Sequence, residues 1–305
     1  MGKVLVICAL LLFGAIGVAS YLKESRPAQL PVEEFVEELS LEQPQPRPAV
    51  AVKDQISRLF AFDGSKLPIV ETVVYASRVP WLQGRPAWIA DYASHYETSR
   101  HFIARSINRG LDYFTQKAVP GMKFNVFRKD KKIDFHLLID LSTARLWFYY
   151  HDMDTNERVL LKTYSVGLGR LNSQKESGSL TPIGSYLLGG KIAIYRPGVM
   201  GLFQEKQTEM MRVFGTRWIP FEEAEGNCTE PAKGLGLHGA PWNLDPATGK
   251  LVEDRSKIGQ YDSDGCIRLA SEDMEEIFAI VITKPTHVHL VRSLQDAQLP
   301  GVEKP

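Results

Sequence analysis

Ser263-Asp264-Gly265-Cys266-Ile267-Arg268 places a thiol, a hinge glycine and a fixed cation within six residues, and His238-Gly239 lies upstream. The thiolate is the nucleophile of cysteine chemistry, so a working cysteine needs a neighbour that lowers its pKa or takes its proton. His238 supplies such a group, because imidazole exchanges protons near neutral pH. Gly265 lets the backbone turn tightly and leaves the sulfur open to approach. The amides around Gly265 and Cys266 are then expected to face a developing oxyanion. Arg268 suits a substrate carboxylate held by two parallel hydrogen bonds, with a structural ion pair as its plainer role. A lone cysteine is more often buried and structural, and a lone histidine more often packed; together these residues read as a cysteine acyl-transfer site with Cys266 as nucleophile and His238 as base.

The hexapeptide resembles the S-x-G-C-[IV]-R signature of the L,D-transpeptidase catalytic family, cysteine enzymes of bacterial peptidoglycan. Three further stretches agree in order. His238-Gly239-Ala240-Pro241-Trp242 is similar to the family's histidine segment. Tyr164-Ser165-Val166-Gly167, followed by Thr181-Pro182-Ile183-Gly184-Ser185-Tyr186, resembles its V-G … T-P-x-G-x-[FY] stretch. Arg268 to Asp273 then leads towards a helix. The likeness covers roughly residues 133 to 293, and four ordered matches are far more specific than one short motif. It implies a mainly β catalytic domain, an L,D-transpeptidase-like β-sandwich with a short helix after the nucleophile. It also implies that the carbonyl of Gly239 orients the histidine ring. Ser263 is assigned to the turn and Asp264 receives no catalytic role, while Trp242 and Tyr186 are candidate walls of the cleft, with core packing as their plainer reading.

Composition narrows the alternatives. The chain has 305 residues, room for one large domain or two smaller ones plus linkers. Its 36 basic and 36 acidic residues cancel, so no global field recruits nucleic acid. Three cysteines make no disulfide framework. Cys8 lies in an apolar N-terminal run, and Cys228 reads as a loop thiol.

Val4 to Leu22 carries no charge and is flanked by Lys3 and Lys23. That length just spans a bilayer, and Val18-Ala19-Ser20 also offers a small-residue cleavage site, so anchor and signal peptide both stand. Either exports the remainder to the side of the inner membrane where peptidoglycan lies, making the membrane and the wall the expected partners. Residues 23–70 read as a spacer. Pro27, Pro31, Pro44, Pro46 and Pro48 stiffen it, and Glu33, Glu34, Glu37, Glu38 and Glu42 extend it. Val32, Phe35, Val36 and Leu39 fall at helical spacing within it, so a short docking helix is the alternative.

Residues 71–130 read as strand, helix, helix, strand. Val73 to Ala76 is β-prone, and Pro86 opens a helical pattern through Trp88, Ile89 and Tyr92. Thr98 or Ser99 is placed to cap a second helix carrying Phe102, Ile103 and Ile107. Pro120-Gly121 turns into the alternating strand Lys123 to Phe127. This small α/β unit resembles a lysin motif (LysM), a peptidoglycan-binding module, although Gly84-Arg85-Pro86 stands where the customary Gly-Asp-Ser turn is absent. A plain helical packing domain is the alternative.

The catalytic half, residues 133–293, reads as strands at 135–140, 145–150, 158–166, 184–188 and 286–291. Gly and Pro punctuate their connections, which favours a mainly antiparallel sheet. Ser271 is placed as a helix cap before Glu272 and Asp273. The charged loop from Asp245 to Gln260 is either part of the rim that selects an acceptor or a surface insertion. The tail from residue 294 is expected to be loose. His287 and His289 share a strand face, but no carboxylate or cysteine cluster with zinc spacing follows them, so neither metal nor cofactor is expected. Gly167 and Gly169 lack the following helix of a dinucleotide loop.

The implied reaction is attack by Cys266 on the carbonyl between an L- and a D-configured residue of a stem peptide, giving a thioester. An amine of a second stem then forms a cross-link, a protein amine tethers that protein to the wall, or water completes an L,D-carboxypeptidase reaction. A non-catalytic wall-binding scaffold is the alternative from another class.

Overall fold

A computed structural model of the chain describes residues 54–108 and 117–304. The N-terminal apolar run, and the Pro/Glu-rich stretch with its candidate docking helix, lie outside the described residues. Residues 54–70, the last part of the expected spacer, do not behave as one. A 3₁₀ turn at Ile56–Leu59 puts Ile56 and Leu59 in the main core, and Leu67 and Ile69 follow them there. Four apolar side chains in fourteen residues give this stretch enough surface to bury.

The strand–helix–helix–strand order is observed. It comprises β1 (Val70–Val74), α1 (Ile89–His95), α2 (Arg100–Asn108) and β2 (Lys123–Phe127), with β1 antiparallel to β2. At the start of α1 the Asp91 carboxylate accepts the Trp88 N–H at 2.8 Å and pairs with Arg85, which holds its pKa down at about 2. Ser99 caps α2, its hydroxyl accepting the Phe102 N–H at 2.9 Å. Tyr75, Tyr92, Ile103, Phe124 and Val126 fill a small core of the unit.

This unit is fused to the catalytic half. Phe102 and Phe127 belong to the large core, and ring contacts run from Phe102 to Phe127 (4.7 Å between centroids), Phe135 (5.8 Å) and Phe148 (5.5 Å). Ser99 also donates to the carbonyl of Ala279, far along the chain.

The catalytic half is mainly β, as expected, and its strands join in one continuous hydrogen-bonded path. β3 (Ile133–Asp140), β4 (Arg145–Asp152) and β5 (Glu157–Ser165) form an antiparallel meander. Ala144 and Asn156 take left-handed conformations in its two turns. The path continues through β7 (Gly184–Leu188), β11 (Arg217–Glu225), β12 (Gly236–Gly239), β16 (Ile267–Leu269) and β17 (Thr286–Val291), giving the order β16-β12-β11-β7-β17-β3-β4-β5. A short strand β8 (Ala193–Ile194) joins β11 as a side branch. The sheet is mixed, since β12/β16 and β17/β3 are parallel. Bulges at Phe148/Tyr149 and Phe221/Glu223 interrupt the register, the device by which a strand bends.

Alternate residues build the core: Phe135, Leu137 and Ile139 from β3, Leu146, Phe148 and Tyr150 from β4, Val288 and Leu290 from β17. Helix α4 (Ser271–Val281) adds Met274, Ile277 and Phe278 to the same core. All eight positions of β3 are buried, so its opposite face, bearing Asp134 and His136, is covered too.

Smaller pairs complete the fold. β6 (Leu168–Gly169) runs parallel to β15 (Tyr261–Ser263), β9 (Met200–Phe203) pairs β10 (Lys206–Glu209) before the single turn α3 (Met211–Phe214), and β13 (Trp242–Leu244) pairs β14 (Leu251–Glu253). The tail, expected to be loose, is docked instead. Its β18 (Val302–Lys304) adds to the sheet edge beside β5, and the Arg158 guanidinium binds the carbonyls of Leu299, Pro300 and Gly301.

Candidate active site

Cys266 sits one residue before β16, which lies parallel to the histidine strand β12 with Leu237 opposite Ile267 and His238 opposite Arg268. This pairing brings together residues 30 positions apart in sequence. The Gly236 amide reaches the Cys266 sulfur, and the sulfur approaches the Gly234 carbonyl at 3.5 Å. The thiol is partly exposed and free.

The turn before it has one solution. Gly265 adopts φ +118°, and a Cβ there would lie 2.8 Å from the Leu180 carbonyl oxygen and 3.0 Å from Leu235. Ser263 closes the turn from within, donating to the Cys266 carbonyl at 2.6 Å and accepting the Gly265 N–H at 3.1 Å. The Gly265 amide is therefore committed, contrary to its expected place at the oxyanion. Asp264 points outward and pairs with Arg170.

Thr181 holds the turn from outside. Its hydroxyl donates to the Gly265 carbonyl at 3.1 Å and accepts the Gly169 N–H at 2.7 Å. Gly169 must be bare, since a Cβ there would sit 2.4 Å from the Thr181 nitrogen. The two flanking motifs thus meet at the loop that carries Cys266. Thr181 lay inside a quoted motif, but its role was not readable from spacing.

His238 is buried, with its Nδ1–H donated to the Gly239 carbonyl at 2.8 Å. That bond leaves Nε2 as the basic nitrogen. The rings of Phe214 (5.4 Å) and Trp218 (5.9 Å) pack on the imidazole. Neither was singled out in the sequence, because aromatic residues 20 or more positions away carry no local signal. Burial, with a smaller contribution from the Arg268 charge, lowers the His238 pKa to about 4. Burial also raises the Cys266 thiol to about 11, against the opposing pull of the Gly236 amide and Arg268. Each group alone is therefore neutral at pH 7.

Arg268 pairs with Asp262 through Nη1 at 3.0 Å, while its buried Nε has no hydrogen-bond partner. Trp242 is partly exposed, and its indole N–H donates to Ser271 at 3.2 Å. Tyr186 is not a wall of the cleft. It is fully buried, stacks on Phe221 and donates to the Glu230 carbonyl at 2.7 Å. Position i of an alternating strand faces either side, and only the register of β7 put this one inward.

The charged segment 245–260 is an ordered hairpin with a 3₁₀ turn, latched to α4. The Glu253 carboxylate accepts the Ser271 N–H at 2.6 Å, and Arg255 bridges Glu253 and Glu272. Ser271 is consequently the first helical residue and its hydroxyl serves Trp242; Ala270 occupies the cap position, and a distant glutamate supplies the capping oxygen. Cys228 donates to the Ser185 carbonyl at 3.0 Å and is free.

His287 and His289, set aside as metal ligands for want of partners, acquire them from neighbouring strands. Asp134 and His136 of β3 and His151 of β4 lie on the same face, with their ligand atoms within 4.8 Å of one another. His136 touches His289 at 2.9 Å, and His287 approaches Asp134 at 3.9 Å.

A family model of the YkuD L,D-transpeptidase catalytic domain matches residues 134–290. No curated protein matches the sequence. Among solved structures, the helical cell shape determining protein Pgp2 from Campylobacter jejuni is similar at 17% identity and TM-score 0.35, over 56% of this chain and 51% of that one. Bd1075 from Bdellovibrio bacteriovorus is similar at 14% identity and TM-score 0.34, over 52% of this chain and 48% of that one. The chain thus spans about half the length of the structures it matches.

Proposed function

This chain belongs to the L,D-transpeptidase catalytic family, and on that premise we propose that it transfers acyl groups of peptidoglycan stem peptides through a Cys266 thioester. The observation that supports the reading is the register of β12 on β16: the strand carrying His238, whose Nδ1–H is tied to the Gly239 carbonyl, pairs with the strand that starts one residue after Cys266.

The chemistry follows from two neutral partners. As the thiol attacks the carbonyl between the L- and D-configured residues, His238 Nε2 takes its proton. With the Gly265 N–H engaged by Ser263, stabilisation of the oxyanion falls to the Cys266 amide. The imidazolium returns the proton to the departing amine, and the terminal D-amino acid leaves. A second amine then attacks the thioester, His238 again accepting a proton, and the cross-link forms as the thiol is restored. The unpartnered Arg268 Nε–H is available to a substrate carboxylate, with Asp262 holding the other side of the guanidinium.

The wider setting fits the same reading. The apolar run Val4–Leu22 exports the enzyme to the periplasmic side, and the strand–helix–helix–strand unit acts as a lysin-like module that holds it on glycan. Because that unit shares the catalytic core, sedimentation with insoluble peptidoglycan is measured on the full chain. A chain that stays in the supernatant removes the glycan-binding role.

The deciding experiment incubates the purified protein and a Cys266→Ala variant with disaccharide-tetrapeptide, with products read by mass spectrometry. A cross-linked dimer made only by the intact thiol is expected. A shortened tripeptide alone makes the enzyme an L,D-carboxypeptidase, and no product from either protein overturns an enzymatic reading.

A further inference from the structure

On the face of β3 that turns away from the main core, polar side chains are buried in unusual number. Asp134, His136 and His151 are each less than a tenth exposed, and His287 and His289 adjoin them. The ring of His136 stacks on those of His287 (5.1 Å) and His289 (5.2 Å). The Asp134 Oδ1 lies 3.2 Å from His136 Nε2 and 3.1 Å from His151 Nδ1, and its Oδ2 lies 3.9 Å from His287 Nε2. Ligands bound tetrahedrally to zinc at about 2.0–2.2 Å stand roughly 3.3–3.5 Å from one another. The first two separations, both from Oδ1, are near that edge; the third is from the other carboxylate oxygen, so His287 adjoins the Asp134–His136–His151 group and must move inward to complete a shell.

The outer contacts fix which nitrogens are free. The Glu225 carboxylate can only accept, so at 2.7 Å it holds the proton of His287 on Nδ1. The Asn156 Oδ1 accepts from His151 Nε2 at 3.3 Å. In neutral rings the lone pairs of His287 Nε2 and His151 Nδ1 are then both directed at Asp134, acceptors facing an acceptor, which a cation between them resolves. His136 completes the pattern through its Nδ1, bonded to His289 Nε2, whose own Nδ1 meets the Ser185 hydroxyl at 2.9 Å. Each inner histidine therefore has its second nitrogen held by an outer group, the arrangement that orients metal-ligating imidazoles.

We propose that Asp134, His136, His151 and His287 form a binding site for a divalent transition-metal ion of the zinc type. Three imidazoles and a carboxylate suit such an ion, and Asp134 with Glu225 offsets its two positive charges. The four ligands fill a tetrahedral shell and leave no position for substrate, so the ion is a clasp joining β17, β3 and β4. In the strand order β17 is three places from the histidine strand β12. The docked tail closes the site, since a Cβ at Gly301 would lie 2.9 Å from His151 Nε2; His287, with 23% of its side chain exposed, leaves a way in.

The test is a titration of the chelator-stripped full chain with Zn2+ against a chromophoric competitor, with thermal melts beside it. One equivalent of tight binding and a metal-dependent rise in Tm are expected. Co2+ in its place should give the visible bands of a tetrahedral nitrogen–oxygen site without a sulfur-to-metal charge-transfer band. Asp134→Asn should abolish the site, and His287→Ala, at the more exposed edge, should lower affinity at least tenfold while the circular dichroism spectrum stays native. No uptake by the folded wild-type chain reduces the cluster to a histidine–carboxylate ion-pair network and overturns the proposal. Unchanged affinity in a folded His287→Ala variant, or a thiolate band with Co2+, overturns it equally.

Discussion

The Thr181 hydroxyl donates to the Gly265 carbonyl at 3.1 Å, so a residue 84 positions upstream holds the turn that presents Cys266. The same oxygen accepts the Gly169 N–H at 2.7 Å. Thr181→Val keeps the shape and removes both bonds in a fully buried place, leaving a donor and an acceptor unsatisfied. A loss of about 1–3 kcal/mol in stability is expected from denaturant melts. Turnover should fall by about 10- to 100-fold as the thiol loses its position, and Thr181→Ser should restore most of both.

Gly265→Ala puts a methyl group against the Leu180 carbonyl and forces a side chain into φ +118°. The strain is on the order of 1–3 kcal/mol, concentrated beside Cys266. Cross-linking should disappear while the circular dichroism spectrum and the pairing of β12 with β16 persist. An active alanine variant would show that the turn tolerates another conformation.

The acid–base state of the pair is open to direct measurement. With the thiol raised to about 11 and His238 lowered to about 4, both of these groups are uncharged at neutral pH. Alkylation by iodoacetamide, followed on the intact protein, should accelerate steadily with pH towards about 11. A plateau below pH 7 would reveal a preformed thiolate–imidazolium pair.

His238 also links stability to pH. Its pKa is lower folded than unfolded, so between about 4 and 6.5 the unfolded chain binds more protons and stability rises with pH. Above 6.5 the contribution is complete, and on acidification it is lost down to about pH 4, by roughly 3 kcal/mol at most. His238→Gln should flatten this part of the profile in urea melts taken from pH 4 to 7.

Glu253 caps α4 from another hairpin through the Ser271 N–H at 2.6 Å. Glu253→Ala should cost about 1 kcal/mol, the usual value of a helix cap. It should also free the 245–260 hairpin, raising its amide hydrogen exchange while leaving that of β3 unchanged.

The order of these elements was written in the local chemistry. Strands at 184–188 and 286–291 follow from short β-prone runs between turn residues, and the helix after Arg268 from its acidic first turn and apolar run. Cys266, Gly265 and His238 stood out as candidates for the same reason, since each is a residue type with few other uses in that spacing. The sequence by itself therefore determined the family and the mainly β character of the chain, and it singled out Cys266 and His238 as candidates. What it left open were facts of register and of long-range pairing. Nothing local told that Tyr186 faces inward on β7, that Glu253 caps a helix beginning at 271, or that residues 302–304 return to the sheet edge. The histidines on β17 lacked partners in sequence because theirs lie some 150 positions away, on strands that only the parallel pairing of β17 with β3 brings alongside. Side-chain chemistry is encoded residue by residue, whereas a site with members on three strands exists only once the backbone hydrogen bonds have set those strands side by side.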